Sequence, residues 1–282
     1  MRITSLLQPV LFTLAVAGAP ALAGAAEHLV TIAPDVNGAW VTPDGAWDGR
    51  TVLFLHGFAD DMDGAGDLSK RMSARLAQMG IASLRVNFRG EGDRKRSDIE
   101  STLQSRIEDT EAAYAFVTRQ PGVQPARSAV LGWSLGATTA IITGGRHPQW
   151  FRSMVLWSSP SGDQWVQMAS SPTAQKALRE GVATDDVAGW KRITTKRAFY
   201  ESFRGVNLDQ SLVNYPGAFL TIRGSNDFLP QGDAQMLKLV PGKPAEAALI
   251  GGADHIFNVF QKNGGAAQRV MDLTADWLAR TL

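Results

Sequence analysis

Ser134 stands in Gly132-Trp133-Ser134-Leu135-Gly136, with the apolar run Ala129-Val130-Leu131 before it and the small-residue run Ala137-Thr138-Thr139-Ala140-Ile141-Ile142 after it. A strand, a sharp turn and a helix are therefore available around one serine, which is the context a G-x-S-x-G nucleophile elbow requires. Small flanking residues let the chain turn tightly and hold the hydroxyl clear of the backbone. Such a serine would do acyl transfer, making and breaking an acyl bond on its own oxygen. With 28 glycines among 282 residues the pattern alone is a weak signal, so its partners decide the reading.

A serine hydroxyl is a weak nucleophile until a base takes its proton. Four histidines are candidates. His28 lies in an expected edge strand, His56 follows the strand-like Thr51-Val52-Leu53-Phe54-Leu55, and His147 closes the helix after the elbow, beside Pro148. These three read as structural or surface residues. His255, in a late Gly-Gly-Ala-Asp-His turn before the last helix, is the expected base. Asp227, in Gly224-Ser225-Asn226-Asp227, follows a strand and precedes Pro230; it is the expected acid that orients the imidazole and stabilises the imidazolium. Its rivals are Asp233, which starts a helix, Glu246, and Asp254, which adjoins His255 and should point elsewhere. A tetrahedral intermediate also needs two donors for its oxygen. The Leu135 N–H and the Phe58 N–H, in the loop after His56-Gly57, are expected to supply them.

Composition bounds the alternatives. The chain is 44% hydrophobic and 20% charged, ordinary values for one large globular domain. A formal net charge of +1 without a dense basic tract argues against a nucleic-acid partner. The absence of cysteine excludes disulfides, a thiol nucleophile and lipid attachment through an N-terminal Cys. Four histidines without cysteine argue against structural zinc, and no metal or cofactor is expected. Residues 1–26 read as a secretory signal peptide: Arg2, a mostly apolar stretch from Leu6 to Ala17, and cleavage sites at Ala21-Leu22-Ala23 or Ala23-Gly24-Ala25. Cleavage would remove Arg2 and leave 27 basic and 27 acidic residues in a periplasmic or secreted protein with no stable membrane insertion.

The elements that must position these groups are legible as alternation. Residues 28–47 read as edge strands, His28–Ile32 and Gly38–Val41, with a Pro43-Asp44-Gly45 turn. Buried strands are expected at Val52–Leu55, Ala82–Phe88, Ala129–Leu131, Ser153–Trp157, Phe219–Ile222 and Ala247–Ile250. Helical spacing recurs in Leu68, Met72, Leu76 and Met79, stopped by Gly80; in Leu103, Ile107, Tyr114 and Val117; and in Val270, Leu273 and Trp277. The alternation implies a mostly parallel sheet covered on both faces. About 60 residues separate the strand near Ser158 from the one near Ala218, far beyond an ordinary connection, so residues 161–215 are expected to form a cap over Ser134. Its Trp165, Trp190, Phe199, Tyr200, Phe203 and Tyr215 read first as the cap's own packing. Arg89-Gly90-Glu91-Gly92-Asp93-Arg94-Lys95-Arg96 reads as a solvated loop, with Arg89 bracing the site's rim. It lacks the Lys before Ser or Thr that a phosphate-binding loop needs.

Taken together, His56-Gly57-Phe58, Asn87-Phe88-Arg89-Gly90-Glu91-Gly92, Gly132–Gly136, Gly224–Asp227 and Asp254-His255 resemble the α/β-hydrolase superfamily over residues 28–282. The chain order Ser, Asp, His is that of α/β hydrolases, and neither the chymotrypsin nor the subtilisin order. The nearer branch is similar to bacterial cinnamoyl (feruloyl) esterases and serine-aminopeptidase-like S33 hydrolases, which carry D-F-R-G-x-G after the fourth strand and a cap between strands six and seven. Here Asn87 stands where Asp is common. The resemblance implies an α/β-hydrolase fold over residues 27–282 and a two-step serine hydrolase without a cofactor. The expected substrate is a small or medium acyl or aromatic ester. A peptidase or amidase on the same fold, and a non-catalytic binding protein, are the alternatives.

Overall fold

Val52 and Phe54 pack into one hydrophobic core while Leu53 and Leu55 pack into another, the period-two alternation of a strand covered on both faces. The computed structural model describes residues 26–43, 45–93, 95–187, 190–262 and 265–282. The expected signal peptide, up to residue 25, Asp44 of the expected turn and Arg94 of the charged run lie outside the described residues. The strands are β1 (Ala26–Ala33), β2 (Val36–Thr42), β3 (Thr51–Leu55), β4 (Ala82–Asn87), β5 (Asp98–Ile99), β6 (Ser128–Trp133), β7 (Ser153–Trp157), β8 (Val182–Asp186), β9 (Arg192–Lys196), β10 (Ala218–Gly224) and β11 (Ala245–Ile250). One sheet runs β1-β2-β4-β3-β6-β7-β10-β11, antiparallel where β2 meets β1 and β4, and parallel elsewhere.

Helices cover both faces. On one lie α1 (Leu68–Gln78) and the C-terminal helix Gly265–Thr281; on the other lie α2 (Leu103–Thr118) and α3 (Leu135–Arg146). Gly80, at φ 71°, follows the end of α1. A reciprocal cap between Thr102 and Ser105 starts α2.

Two strand expectations change. β2 is no edge strand: it lies between β1 and β4 and is largely buried. β11 is the terminal strand of the sheet, with one neighbour, and Leu249 on it is 61% exposed, so the expected burial of Ala247–Ile250 holds only at its end. An edge strand can be covered on fewer sides, which removes the reason for continuous burial.

Between β7 and β10, the sixth and seventh strands of the large sheet, the chain forms α4 (Gln164–Ala169), α5 (Pro172–Glu180), the β8–β9 hairpin, α6 (Arg197–Glu201) and α7 (Leu208–Leu212). β9 also pairs with β5, so a short sheet ties the insertion to the loop after β4. Phe199, Tyr200, Phe203 and Tyr215 are buried, whereas Trp190 is half exposed. A hydrogen bond from Thr138 Oγ1 to Gln164 Oε1, 3.1 Å, joins α4 to the second turn of α3.

Candidate active site

Ser134 separates β6 from α3 at φ 54°, ψ −118°, a conformation an L-residue holds only under strain. Its neighbours explain why the turn closes. A Cβ on Gly132 would lie 2.7 Å from Ala137 Cα, and one on Gly136 would collide with the Leu55 carbonyl. The Ser134 amide donates to the Trp157 carbonyl at the end of β7, 2.9 Å. The hydroxyl is thereby held above the carboxyl ends of the parallel strands, where ligands bind in open α/β sheets.

The structure brings Ser134, His255 and Asp227 together from three distant segments. His255 Nε2 lies 2.9 Å from Ser134 Oγ, and His255 Nδ1 lies 2.8 Å from Asp227 Oδ1. A carboxylate on Nδ1 fixes the tautomer, leaving Nε2 to accept the serine proton. Two donors hold the histidine's own carbonyl: Ser158 Oγ at 2.9 Å and Trp133 Nε1 at 3.3 Å. The ring of Phe228, 76% exposed, tilts over the imidazole with centroids 4.3 Å apart.

Asp227 rests on a buried cation that sequence reading missed. Arg223, inside the buried strand β10, places Nη1 3.3 Å from Asp227 Oδ2 and Nε 2.7 Å from Asp233 Oδ2, and donates to the Ser159 carbonyl. Burial would raise the Asp227 carboxyl. The His255 hydrogen bond and charge, the Leu229 N–H and Arg223 outweigh it and hold the carboxyl below its ordinary range. The rivals are occupied elsewhere. Asp233 binds Arg223 and Thr221, Glu246 pairs with Arg280, and Asp254 caps the amides of Ile256 and Asn258.

The two expected oxyanion donors are placed by different devices. Leu135 is the first residue of α3, where an amide has no intrahelical partner. Phe58 lies in the loop after β3, beside Gly57, whose added Cβ would sit 3.4 Å from Ser134 Cβ. Its ring packs on Phe199 of the insertion, centroids 5.0 Å apart. Neither amide has a hydrogen-bond acceptor among the described residues, so both are free to donate to a ligand oxygen. The Asn87 side-chain oxygen accepts the Met62 N–H at 2.7 Å, anchoring the far end of this loop as a carboxylate could.

Glu91 corrects the solvated-loop expectation: it is buried, not solvated, because the Arg106 guanidinium from α2 neutralises it. Arg89 does not brace the rim; it pairs with Glu108 and Asp109 on α2. Of the other histidines, His28 lies in β1 and His147 pairs with Glu111. His56 is buried. Its Nδ1 donates to the Gly57 carbonyl at 2.8 Å, and its Nε2 accepts the Phe88 N–H at 3.4 Å, which fixes a neutral tautomer. Desolvation first, and the Arg106 charge second, bring its pKa down to about 4. Among the described residues no group of three or more His, Asp or Glu side chains could hold a metal ion, and no helix is long and apolar enough to cross a membrane.

An eight-stranded, mostly parallel sheet with a serine elbow at its centre is the α/β-hydrolase fold, and the chain has that fold. A family model described as serine aminopeptidase, S33, matches residues 49–183. Among solved structures the chain is similar to Est1E from Butyrivibrio proteoclasticus (14% identity, 91% of this chain and 100% of that one, TM-score 0.68). It is similar to a dienelactone hydrolase from Anabaena variabilis (16%, 92% and 100%, TM-score 0.62). It is also similar to the α/β hydrolase GrgF from a Penicillium species (13%, 91% and 98%, TM-score 0.69). A search of curated proteins returns no match.

Proposed function

We propose that the chain hydrolyses carboxylic esters through an acyl-Ser134 intermediate. The observation that carries this reading is the unbroken hydroxyl–imidazole–carboxylate chain, 2.9 and 2.8 Å long. His255 takes the Ser134 proton as the oxygen attacks the ester carbon, then gives it to the departing alcohol. Leu135 and Phe58 amides receive the charge that develops on the carbonyl oxygen. Water, deprotonated by His255, then releases the acid. Residues 161–215 would cap this site.

An aromatic acyl or alcohol group suits the rim, because Phe228 presents an exposed ring beside His255. Ferulic acid is bound to Est1E in a second structure similar to this chain (14% identity, 86% of this chain and 96% of that one, TM-score 0.69), and an aryl ester is the substrate class we favour here. The serine-aminopeptidase description of the matching family supports amide cleavage as a second reading. An aminopeptidase needs an acidic anchor for the substrate amine. Asp185, Asp186 and Glu201 of the insertion are exposed, amid Arg192, Lys196, Arg197 and Arg204, so esters are preferred.

Purified protein should turn over p-nitrophenyl acetate and an aryl ester at least about tenfold faster than an aminoacyl-coumarin, and a fluorophosphonate should label Ser134. A faster aminoacyl-coumarin would transfer the reading to amides, and failure to label would end both. Phe228→Ala should raise KM for a phenylpropenoyl ester about fivefold, the worth of one aromatic contact, with p-nitrophenyl acetate unchanged. Equal effects on the two substrates would mean that the ring touches neither acyl group.

A further inference from the structure

The oxyanion loop is held by a buried ion pair that no step of the proposed chemistry consumes. The Glu91 and Arg106 side chains are 1% and 0% exposed and form a direct salt bridge. Glu91 Oε2 accepts the Ala59 N–H at 3.0 Å, and Arg106 Nη2 donates to the His56 carbonyl. These two anchors bracket Gly57 and Phe58, leaving the Phe58 amide between fixed points. Ala59 is held at φ 54°, so the loop does not reach this shape by backbone preference alone. Arg106 reaches the other donor too. Its Nε donates to Thr139 Oγ1 at 3.3 Å, and that hydroxyl donates to the Leu135 carbonyl at 3.1 Å. Ser101 Oγ also donates to Glu91 Oε1, and the guanidinium lies 3.9 Å over the Phe88 ring.

Stability is a poor reason for such a pair. Burying two charges costs about as much as their attraction returns, and well-packed apolar replacements are often neutral or better. Fixing where two amides point is a sufficient one, because an oxyanion hole works only when its donors are set before charge develops. We infer that Glu91 and Arg106 are positioning residues for the oxyanion hole, with Arg106 tying the Phe58 loop to the helix that presents Leu135. The inference rests on the acyl-serine reading above.

The test is the double variant Glu91→Leu/Arg106→Met, which removes both charges and keeps bulk. Its thermal midpoint should stay within a few degrees of wild type. The rate constant for phosphonylation of Ser134 by a fluorophosphonate, read by intact mass, should fall about 100-fold, the worth of one misplaced oxyanion donor. kcat for p-nitrophenyl acetate should fall in parallel while KM moves less than threefold, and an arylboronic acid, which mimics the tetrahedral state, should lose affinity by the same factor. If the double variant does not fold, Arg106→Lys serves. It keeps the charge but cannot span His56 and Thr139 together, and it should show the same split between kcat and KM. Glu91→Gln retains an acceptor for the Ala59 amide and should recover to within about tenfold of wild type. A folded double variant, or a folded Arg106→Lys, that labels and turns over within threefold of wild type overturns the inference while leaving the acyl-serine reading intact. A wild-type protein that is never labelled overturns that reading first and this inference with it.

Discussion

Ser134→Ala should lower kcat for p-nitrophenyl acetate on the order of 10⁴-fold or more, and Ser134→Gly should do the same while leaving the protein more stable than the alanine variant. The first effect follows from losing the only atom that can carry the acyl group while the donors and the binding surface remain. The second follows from the elbow itself. Ser134 is held at φ 54°, ψ −118°, a region that costs a residue with a Cβ about 1–3 kcal/mol and costs glycine little. Glycine adds back about 0.5–1 kcal/mol of unfolded-state entropy. The serine hydroxyl gives up one partly buried hydrogen bond, to His255. Ser134→Ala loses the same bond, so relative to that variant glycine should gain about 1 kcal/mol, a rise of about 2–4 °C in thermal midpoint for a domain of this size. Ser134→Ala keeps the Cβ and should not share that gain. Urea denaturation of the three proteins, alongside burst and steady-state kinetics, separates the effects. An alanine variant within 100-fold of wild type would move the nucleophile elsewhere, and a glycine variant no more stable than the alanine variant would mean the elbow stores no strain.

Ser134, Asp227 and His255, which the structure brings into contact, could be singled out in the sequence because each sits at a local signature: glycines around the serine, an acid after an apolar strand, a histidine before the last helix. Signatures of that kind are written in adjacent residues. The groups that hold these three side chains in place are not. Arg223 satisfies Asp227 and Asp233 four and ten residues away, but also the Ser159 carbonyl on a different strand's end. Glu91 is neutralised by a residue 15 positions on and accepts an amide 32 positions back. A run of charges and glycines looks solvated until the fold supplies those partners. One clue was available: Arg106 falls on the helical stripe with Leu103, Ile107 and Thr110, all buried, and a charge on a core stripe demands a buried partner. Arg223 in Ala218-Phe219-Leu220-Thr221-Ile222-Arg223 poses the same question of a strand. The sheet was legible in its centre, where burial on both faces makes strands uniformly apolar, and less so at β11, whose position at the edge is set by chain topology and not by its own composition. The pairing of β5 with β9, nearly a hundred residues apart, has no local trace at all.

Folding stability should fall by about 3 kcal/mol between pH 6.5 and pH 4, and His56 should be the cause. Its imidazole is buried and neutral, with Nδ1 donating to Gly57 and Nε2 accepting from Phe88, and its pKa is brought down to about 4 by desolvation and by Arg106, against the Glu91 carboxylate. The unfolded chain binds a proton near pH 6.5, so throughout the interval below that value it holds one more proton than the folded protein. Each unit of pH removed therefore favours unfolding by about 1.4 kcal/mol until the folded imidazole itself titrates. The stabilising contribution is complete above pH 6.5 and is spent at about 4. Glu91 and Asp227 act in a separate, more acidic window. Burial raises each carboxyl, their cationic partners outweigh it, and the stability they supply is lost only as pH falls below the ordinary carboxylate range. Urea titrations at half-unit intervals from pH 7.5 to pH 4 should show the slope in wild type and a flatter profile in His56→Asn, whose side chain takes up no proton there. A wild-type stability that stays level from pH 7 to pH 5 would show that His56 accepts its proton in the folded state. It would then sit as a cation against Arg106, stabilised by Glu91 to a degree that the burial of all three groups argues against.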